Sequence, residues 1–186
     1  MSLRNLLKAG VLAMLMLLFL GTFLVLFRSM EPTDVNIRRH VLLVDLDQIP
    51  VGTAKRVDSA KGPVFIVHRA PADLLELERL SSQVRDPLSR ASHQPPYARN
   101  IHRSIKPEWF VANGGNLRGL PVRYELLPFP GPEGWSGGFY DPYDGAMFDK
   151  AGRVFSSGHP LQENLYVPEY EFLTVNSLAI YPFGRP

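Results

Sequence analysis

The pattern of apolar and polar positions divides the chain into a continuous apolar segment near the amino terminus and a longer mixed segment. Ala9 to Phe27 is a run of nineteen residues without a charge, interrupted only by two glycines and one threonine. At about 1.5 Å per residue, a helix of this length just spans a hydrocarbon core of roughly 30 Å. Bulky residues precede Arg28, which favours a retained anchor over a cleaved signal peptide. We predict a transmembrane anchor over residues 1–28, a neck over 29–40 and a head over 41–186.

Short segments with the composition of β-strands dominate the head. Their β-branched and aromatic residues, bounded by glycine and proline, favour strands over helices. Asn176-Ser177 is interpreted as a two-residue turn between the last two strands. The predicted strands are Val41–Leu46, Val64–His68, Trp109–Ala112, Tyr170–Leu173 and Leu178–Tyr181.

One helix is predicted between these strands. Pro71 suits the first position of a helix, and Pro87 stops it. Four leucines are expected to cover one broad side of this helix, at positions Leu74, Leu75, Leu77 and Leu80. The predicted fold class is therefore mainly β, with a single amino-terminal transmembrane helix and an antiparallel β head that contains one helix.

Composition excludes several chemistries. The 186 residues include no cysteine, so thiolate metal sites, disulfides and covalent c-type haem attachment are ruled out. The formal charge of +2 and the lack of any nucleic-acid motif give no reason to expect a nucleic-acid partner.

Residues 85–106, called the basic segment below, carry five basic residues against one aspartate. Pro95-Pro96 argues against regular structure here. A solvated loop is one interpretation. The alternative is an electrostatic contact with an acidic subunit face or with lipid headgroups, for which Arg99 and Arg103 are the candidate contact residues.

Two glycine-rich loops are the most informative part of the head. The first loop is Gly114–Pro121, with the sequence GGNLRGLP, and the second loop is Asp141–Asp149, with the sequence DPYDGAMFD. Together they resemble the cluster-binding loops of the Rieske iron–sulfur subunit of bacterial cytochrome bc complexes. That family has Cys-Thr-His-Leu-Gly-Cys in the first loop and Cys-Pro-Cys-His-Gly-Ser in the second. The strand, helix and basic-segment sequences resemble it too, so the resemblance covers nearly all of the chain after the neck.

The resemblance implies that the framing residues of the loops remain while the functional ones are replaced. The retained framing residues are Leu117, Pro121, Pro142 and Gly145. The family's cluster ligands fall on Gly114, Asn116, Asp141 and Asp144, and its disulfide cysteines on Gly119 and Tyr143. Since a Rieske cluster is held by two thiolates and two histidines, the chain is interpreted as a degenerate member that lacks every ligand.

The resemblance also implies a location and a role. The amino terminus is expected in the cytoplasm and the head on the periplasmic side of a bacterial inner membrane. We expect a non-catalytic accessory subunit of a cytochrome bc complex or a haem–copper terminal oxidase, with no cofactor of its own. Its partners would be the lipid bilayer and cytochrome b, cytochrome c or oxidase subunits. Candidate contacts in the loops are Asn116, Leu117, Tyr140 and Tyr143.

Two alternatives stay open. Asp141 and Asp144, with Asp149 nearby, could supply oxygen ligands to a divalent cation or serve an enzymatic site, although a solvated acidic turn explains them as well. The chain could also be a transient assembly factor that leaves its complex after maturation.

Overall fold

The computed structural model describes residues 3–29, 41–59, 61–115, 123–125, 133–157 and 162–184. The chain divides into two compact units, Met1–Arg38 and Arg39–Pro186. In the first unit a single helix, α1, extends over Leu3–Ser29. Among the described residues, no helix combines the length and the apolar character needed to cross a membrane. The anchor stays a prediction, and residues 30–40 of the neck lie outside the described part.

The second unit is built from antiparallel β-sheets, as predicted. Its described residues form three sheets of three strands, with strand orders β1-β9-β8, β2-β3-β4 and β5-β6-β7. The strands are β1 (Leu42–Asp45), β2 (Thr53–Ser59), β3 (Gly62–His68), β4 (Trp109–Asn113), β5 (Arg123–Glu125), β6 (Gly138–Tyr140), β7 (Met147–Phe148), β8 (Glu169–Phe172) and β9 (Ser177–Tyr181).

The predicted strands at Val41–Leu46, Val64–His68 and Trp109–Ala112 are confirmed as β1, β3 and β4. Strand β3 is central in its sheet and its four residues Val64–Val67 are buried, which explains its uninterrupted apolar sequence. Strand β2 was not predicted, because its Lys55, Arg56 and Asp58 follow no alternating apolar pattern. It lies at the edge of the sheet, where polar side chains are tolerated on both faces.

The turn between the last two strands differs from the prediction. Ser177 is the first residue of β9, so residues 173–176 form the connection, and Asn176-Ser177 is not a two-residue turn. The backbone N–H of Leu173 donates to the carbonyl of Ser177 over 3.0 Å and closes this longer loop.

The predicted helix forms over Pro71–Arg79 and is called α2. A 3-10 turn over Leu80–Ser82 follows it, so the helical segment ends before Pro87. The Asp73 carboxylate accepts the backbone N–H of Ala70 over 2.7 Å and caps the first turn.

The expectation that four leucines share the buried side of α2 is wrong for Leu75, whose side chain is 63% exposed. Leu77 and Leu80 are buried, as expected. The other buried positions of the helix are acidic, namely Asp73 and Glu76.

Those two carboxylates are buried because they have polar partners from the segments around β6 and β7. Lys150 Nζ lies 2.5 Å from Asp73 Oδ1 and 2.9 Å from Ser136 Oγ. The backbone N–H and the hydroxyl of Ser136 both donate to the Glu76 carboxylate. Burial of a charged group is offset by an ion pair or by hydrogen bonds: Asp73 pairs with Lys150, and Glu76 accepts two hydrogen bonds from Ser136.

The basic segment is irregular apart from a 3-10 turn over Pro96–Ala98. Arg103 corrects the view of it as a solvated loop, because this side chain is completely buried. Its guanidinium donates to the carbonyls of Ala151, Gly152 and Leu165. Burial lowers the pKa of Arg103 to about 9. Arg103 therefore holds loops together inside the head and is not available as a surface contact with a partner.

Arg153, in the turn after β7, plays a comparable structural part. Its Nε donates to Asp149 Oδ2 over 2.7 Å, and the two side chains are 0% and 1% exposed. The same guanidinium also donates to the carbonyls of Leu77 and Pro87. It thereby joins α2 and the start of the basic segment to the turn after β7.

Replacing Arg153 with methionine tests this buried pair. We expect R153M to lower the free energy of unfolding by about 3–5 kcal/mol, because it leaves the Asp149 carboxylate buried without its counter-ion. The measurement is urea denaturation of the full chain in detergent. R56M is the matched control, since Arg56 pairs with Asp58 at the surface, and it should cost at most about 1 kcal/mol.

The double variant R153M/D149N separates the effect of the unpaired Asp149 charge from the effect of the changed side-chain volume at position 153. The amide introduced by D149N would keep a neutral oxygen for the backbone N–H groups of Ala151 and Arg153, which Asp149 Oδ1 accepts at 2.9 and 3.0 Å. We expect the double variant to recover more than half of the loss. A double variant as unstable as R153M would show that the unpaired charge is not the cause.

Candidate functional site

The first loop begins where strand β4 ends. The backbone N–H of Gly114 donates to the carbonyl of Pro63 over 2.6 Å, which extends the pairing of β3 with β4 by one residue. A Cβ placed on Gly114 would overlap Cε2 of Phe65 and would lie 2.9 Å from Cγ of Pro63. Phe65 is itself wedged edge-on against Phe139 in the core. Glycine is therefore required here by close packing, and the position has no room for a ligating side chain.

The other first-loop positions singled out from the sequence lie outside the described residues. These are Asn116, Leu117, Gly119 and Pro121.

The second loop is a tight turn that leaves β6 and returns into β7. The backbone N–H of Asp141 donates to the carbonyl of Ala146 over 2.8 Å, and that of Gly145 donates to the carbonyl of Asp141 over 2.9 Å. Gly145 has a φ of +76°, in the left-handed region that favours glycine. The Asp141 carboxylate accepts the N–H of Tyr143, and the Asp144 carboxylate accepts that of Ala146. Both aspartates therefore stabilise the turn itself.

Gln162 bridges the two aspartates. Its Nε2 lies 2.6 Å from Asp144 Oδ2 and 3.2 Å from Asp141 Oδ2, and both Gln162 and Asp141 are buried. Gln162 also lines a cavity of about 270 Å³ together with Gly115 of the first loop. The segment that contains Gln162 thus lies beside both loops. We call this arrangement of Gln162 with Asp141 and Asp144 the amide bridge.

Sequence reasoning did not identify Gln162. Nothing in the spacing of the sequence distinguishes a glutamine at this position from a solvated one. The signal that could have found it is chemical: two carboxylates three residues apart in a tight turn favour a nearby donor, and an amide supplies one without adding charge.

The three aspartates proposed as an alternative cation site do not converge. Asp149 accepts hydrogen bonds from Arg153 and from the backbone of the hairpin turn, whereas Asp141 and Asp144 are bridged by Gln162. Within the described ranges, no group of three or more histidine, cysteine or acidic side chains is arranged to hold a metal ion.

The remaining candidate contact residues differ in how accessible they are. Tyr143 is 58% exposed at the tip of the second loop, whereas Tyr140 at the end of β6 is half-buried. Arg99 is exposed, in contrast to Arg103. Tyr143 and Arg99 therefore remain surface candidates, and Arg103 does not.

Comparison with known proteins gives relatives of one kind. The chain is 37% identical over 139 residues to the ubiquinol-cytochrome c reductase iron-sulfur subunit of Allochromatium vinosum. The matched residues are 73% of this chain and 67% of that subunit. The chain is 33% identical over 138 residues to the mitochondrial cytochrome b-c1 complex subunit Rieske of Neurospora crassa, and these residues are 74% of this chain and 52% of that protein. The chain belongs to the family of Rieske iron–sulfur subunits.

Two further comparisons add little. No protein-family model matches the chain. A chain of a hyperthermophilic respiratory Complex III superposes with a TM-score of 0.48 and 17% identity, over 92% of this chain and 98% of that one.

The residues of this Rieske-family chain do not fit the family's cluster. A Rieske cluster requires two thiolates and two imidazoles, and the sequence contains no cysteine. Position 114 cannot receive any side chain while Phe65 keeps its place. In the second loop, the carboxylates at both ligand positions already accept hydrogen bonds from Gln162 and the backbone.

The packing at Gly114 gives a direct test. We expect G114A to destabilise the head by about 1–3 kcal/mol, because the added methyl group overlaps the Phe65 ring. The variant F65V/G114A should be more stable than the sum of the two single effects, since valine vacates the space. Thermal melts of all four proteins would measure this coupling, and simple additivity would contradict the close contact.

The amide bridge predicts a dependence on pH once Gln162 is replaced by glutamate. In Q162E a third carboxylate faces Asp141 and Asp144, so its pKa should rise above the ordinary value near 4.3. The stability of Q162E is compared with that of wild type at each pH. It should match the wild-type stability below about pH 4, and it should fall as the pH rises through the raised pKa of the introduced carboxyl group. Thermal melting from pH 4 to pH 8 would show it.

Q162M is the control, because it removes the donor without adding a charge. It should be destabilised by a similar amount at every pH, about 1–3 kcal/mol, because it removes the hydrogen bonds from Gln162 to Asp141 and Asp144. A Q162E variant that behaves like Q162M across the range would contradict the bridge.

Proposed function

We propose that this chain is a cluster-less, non-catalytic accessory subunit of a respiratory electron-transfer complex. The observation that supports this most strongly is a Rieske-family head whose ligand positions are occupied by a packed glycine and a hydrogen-bonded pair of aspartates. A head of this kind keeps a surface but has no sulfur donors for a two-iron cluster. Its contribution would be to the assembly or stability of the complex, or to the docking of another component.

The proposed host is a cytochrome bc complex or a haem–copper terminal oxidase. The relatives' names place those proteins in the former type of complex, and the chain covers about half to two thirds of their length. Cytochrome b, cytochrome c or oxidase subunits are the proposed partners. Tyr143 is the best placed contact near the former cluster, because it is a large exposed aromatic residue, a type enriched at interfaces.

The proposal includes attachment to a bacterial inner membrane through residues 1–28. Support comes from the uncharged run Ala9–Phe27 and from large apolar side chains of α1 that are exposed, including Leu12, Met16 and Phe19. Such a surface needs an apolar environment. The amino terminus would lie in the cytoplasm and the head in the periplasm.

One purification tests the function. The full chain, expressed with an affinity tag in its native host and extracted in mild detergent, is expected to bring down a respiratory complex at a constant ratio near one. After separation in stronger detergent, the isolated chain should show neither an iron EPR signal nor visible absorbance.

Each alternative has its own outcome in this experiment. A chain present only during assembly and absent from the mature complex would be an assembly factor. Iron and sulfide bound stoichiometrically to the isolated chain would overturn the loss of the cluster. A bound divalent cation that disappears in D141A and D144A would instead support the metal-binding alternative.

A further inference from the structure

A cleft of about 470 Å³ lies next to the former cluster region. The basic segment contributes Arg90, Pro95, Pro96 and Arg99 to its lining, and Tyr166 and Glu169 also line it. His93 and Tyr166 also line the cavity that contains Gly115 and Gln162. The cleft therefore lies beside that cavity. We call it the arginine cleft.

The arginine cleft presents hydrogen-bond donors that are not used inside the protein. The guanidinium groups of Arg90 and Arg99 are exposed, and neither makes an ion pair or hydrogen bond within the described ranges. The Tyr166 hydroxyl, on a side chain that is 38% exposed, likewise makes no hydrogen bond to the described residues. Burial and the charge of Glu169 raise the pKa of Tyr166, so its phenol stays a donor.

The backbone at Arg90 is held in place by the Asp86 carboxylate. The Asp86 carboxylate accepts the backbone N–H groups of Arg90, Ala91 and Ser92 at 2.9, 3.0 and 3.1 Å, and the Ser92 hydroxyl at 2.7 Å. Partial burial alone would raise the pKa of Asp86, but these four hydrogen bonds lower it below its usual value. Since Asp86 is already occupied by backbone donors, the position of the Arg90 backbone is fixed while its side chain remains available.

We propose that the arginine cleft binds an extended acidic segment of a partner protein. Carboxylates of that segment would pair with Arg90 and Arg99, whose planar guanidinium groups match a carboxylate in two parallel hydrogen bonds. Apolar parts of the segment would lie against Pro95 and Pro96. This inference rests on the proposed accessory function, because it names the surface by which such a subunit would hold a neighbour.

The shape and lining of the cleft favour a protein segment over a lipid headgroup. Pro95, Pro96 and the partly exposed Tyr166 give the cleft apolar surface beside its charged groups, a combination found at protein–protein contacts. Glu169, the acidic residue among the described lining residues, would repel any anion placed beside it, so the anionic groups of a ligand must reach the arginines and avoid Glu169. A chain whose carboxylates reach only the two arginines avoids that repulsion.

A fluorescent peptide of three Glu-Pro repeats is a suitable probe, with the Gln-Pro peptide as its neutral counterpart. Binding to the full chain in neutral detergent is measured by anisotropy at low salt. We expect the Glu-Pro peptide to bind at least about tenfold more tightly than the Gln-Pro peptide, and R90E/R99E to lose at least about tenfold of that affinity. Binding should weaken as salt is added.

The control variant R56E/K61E reverses two charges elsewhere on the head and should stay within about twofold of wild type. Equal loss in both double variants, or no preference for the acidic peptide, would overturn the proposal. So would displacement of the peptide by phosphatidylglycerol added to the micelles, because lipid would then be the occupant. None of these results bears on co-purification with a respiratory complex, so the accessory function stands or falls separately.

Discussion

Buried guanidinium groups that donate to carbonyl and carboxylate oxygens connect the irregular segments of the head. Arg103 and Arg153 are both completely buried, and between them they bind backbone carbonyls from α2, the start of the basic segment, the turn after β7 and the segment at Leu165. Short strands provide few ladder hydrogen bonds in this region. Side-chain donors supply the connections that longer strands would supply through the backbone.

Side-chain contacts also hold the parts of the two loops that the structure describes. In the second loop, the amide bridge joins Asp141 and Asp144 to the segment that carries Gln162. At the first loop, Phe65 and Pro63 pack directly against Gly114. Neither arrangement requires metal or sulfur. The described parts of both loops are anchored by ordinary packing and hydrogen bonding.

The sequence was a good guide to strands and a poor guide to buried polar groups. Strands β1, β3 and β4 were predictable because their apolar residues face the core, and α2 was predictable because Pro71 opens it. The burial of Asp73 and Glu76 was not predictable, because it depends on Lys150 and Ser136, which are distant in sequence. Leu75 is exposed for the same reason: the helix turns its acidic residues towards those partners.

The composition of the basic segment does not predict which of its arginines are buried. Arg99 and Arg103 are four residues apart in an irregular segment, and both receive the same interpretation from the sequence. In the structure Arg99 is exposed and Arg103 is completely buried. What separates them is the surrounding oxygen atoms: Arg103 meets three carbonyls, and Arg99 meets none among the described residues. A cation without internal partners keeps its capacity to pair with an external anion, whereas a buried guanidinium that donates to several internal carbonyls does not. The division of the arginines into these two kinds therefore separates the residues that build the head from those that are free to act on a neighbour.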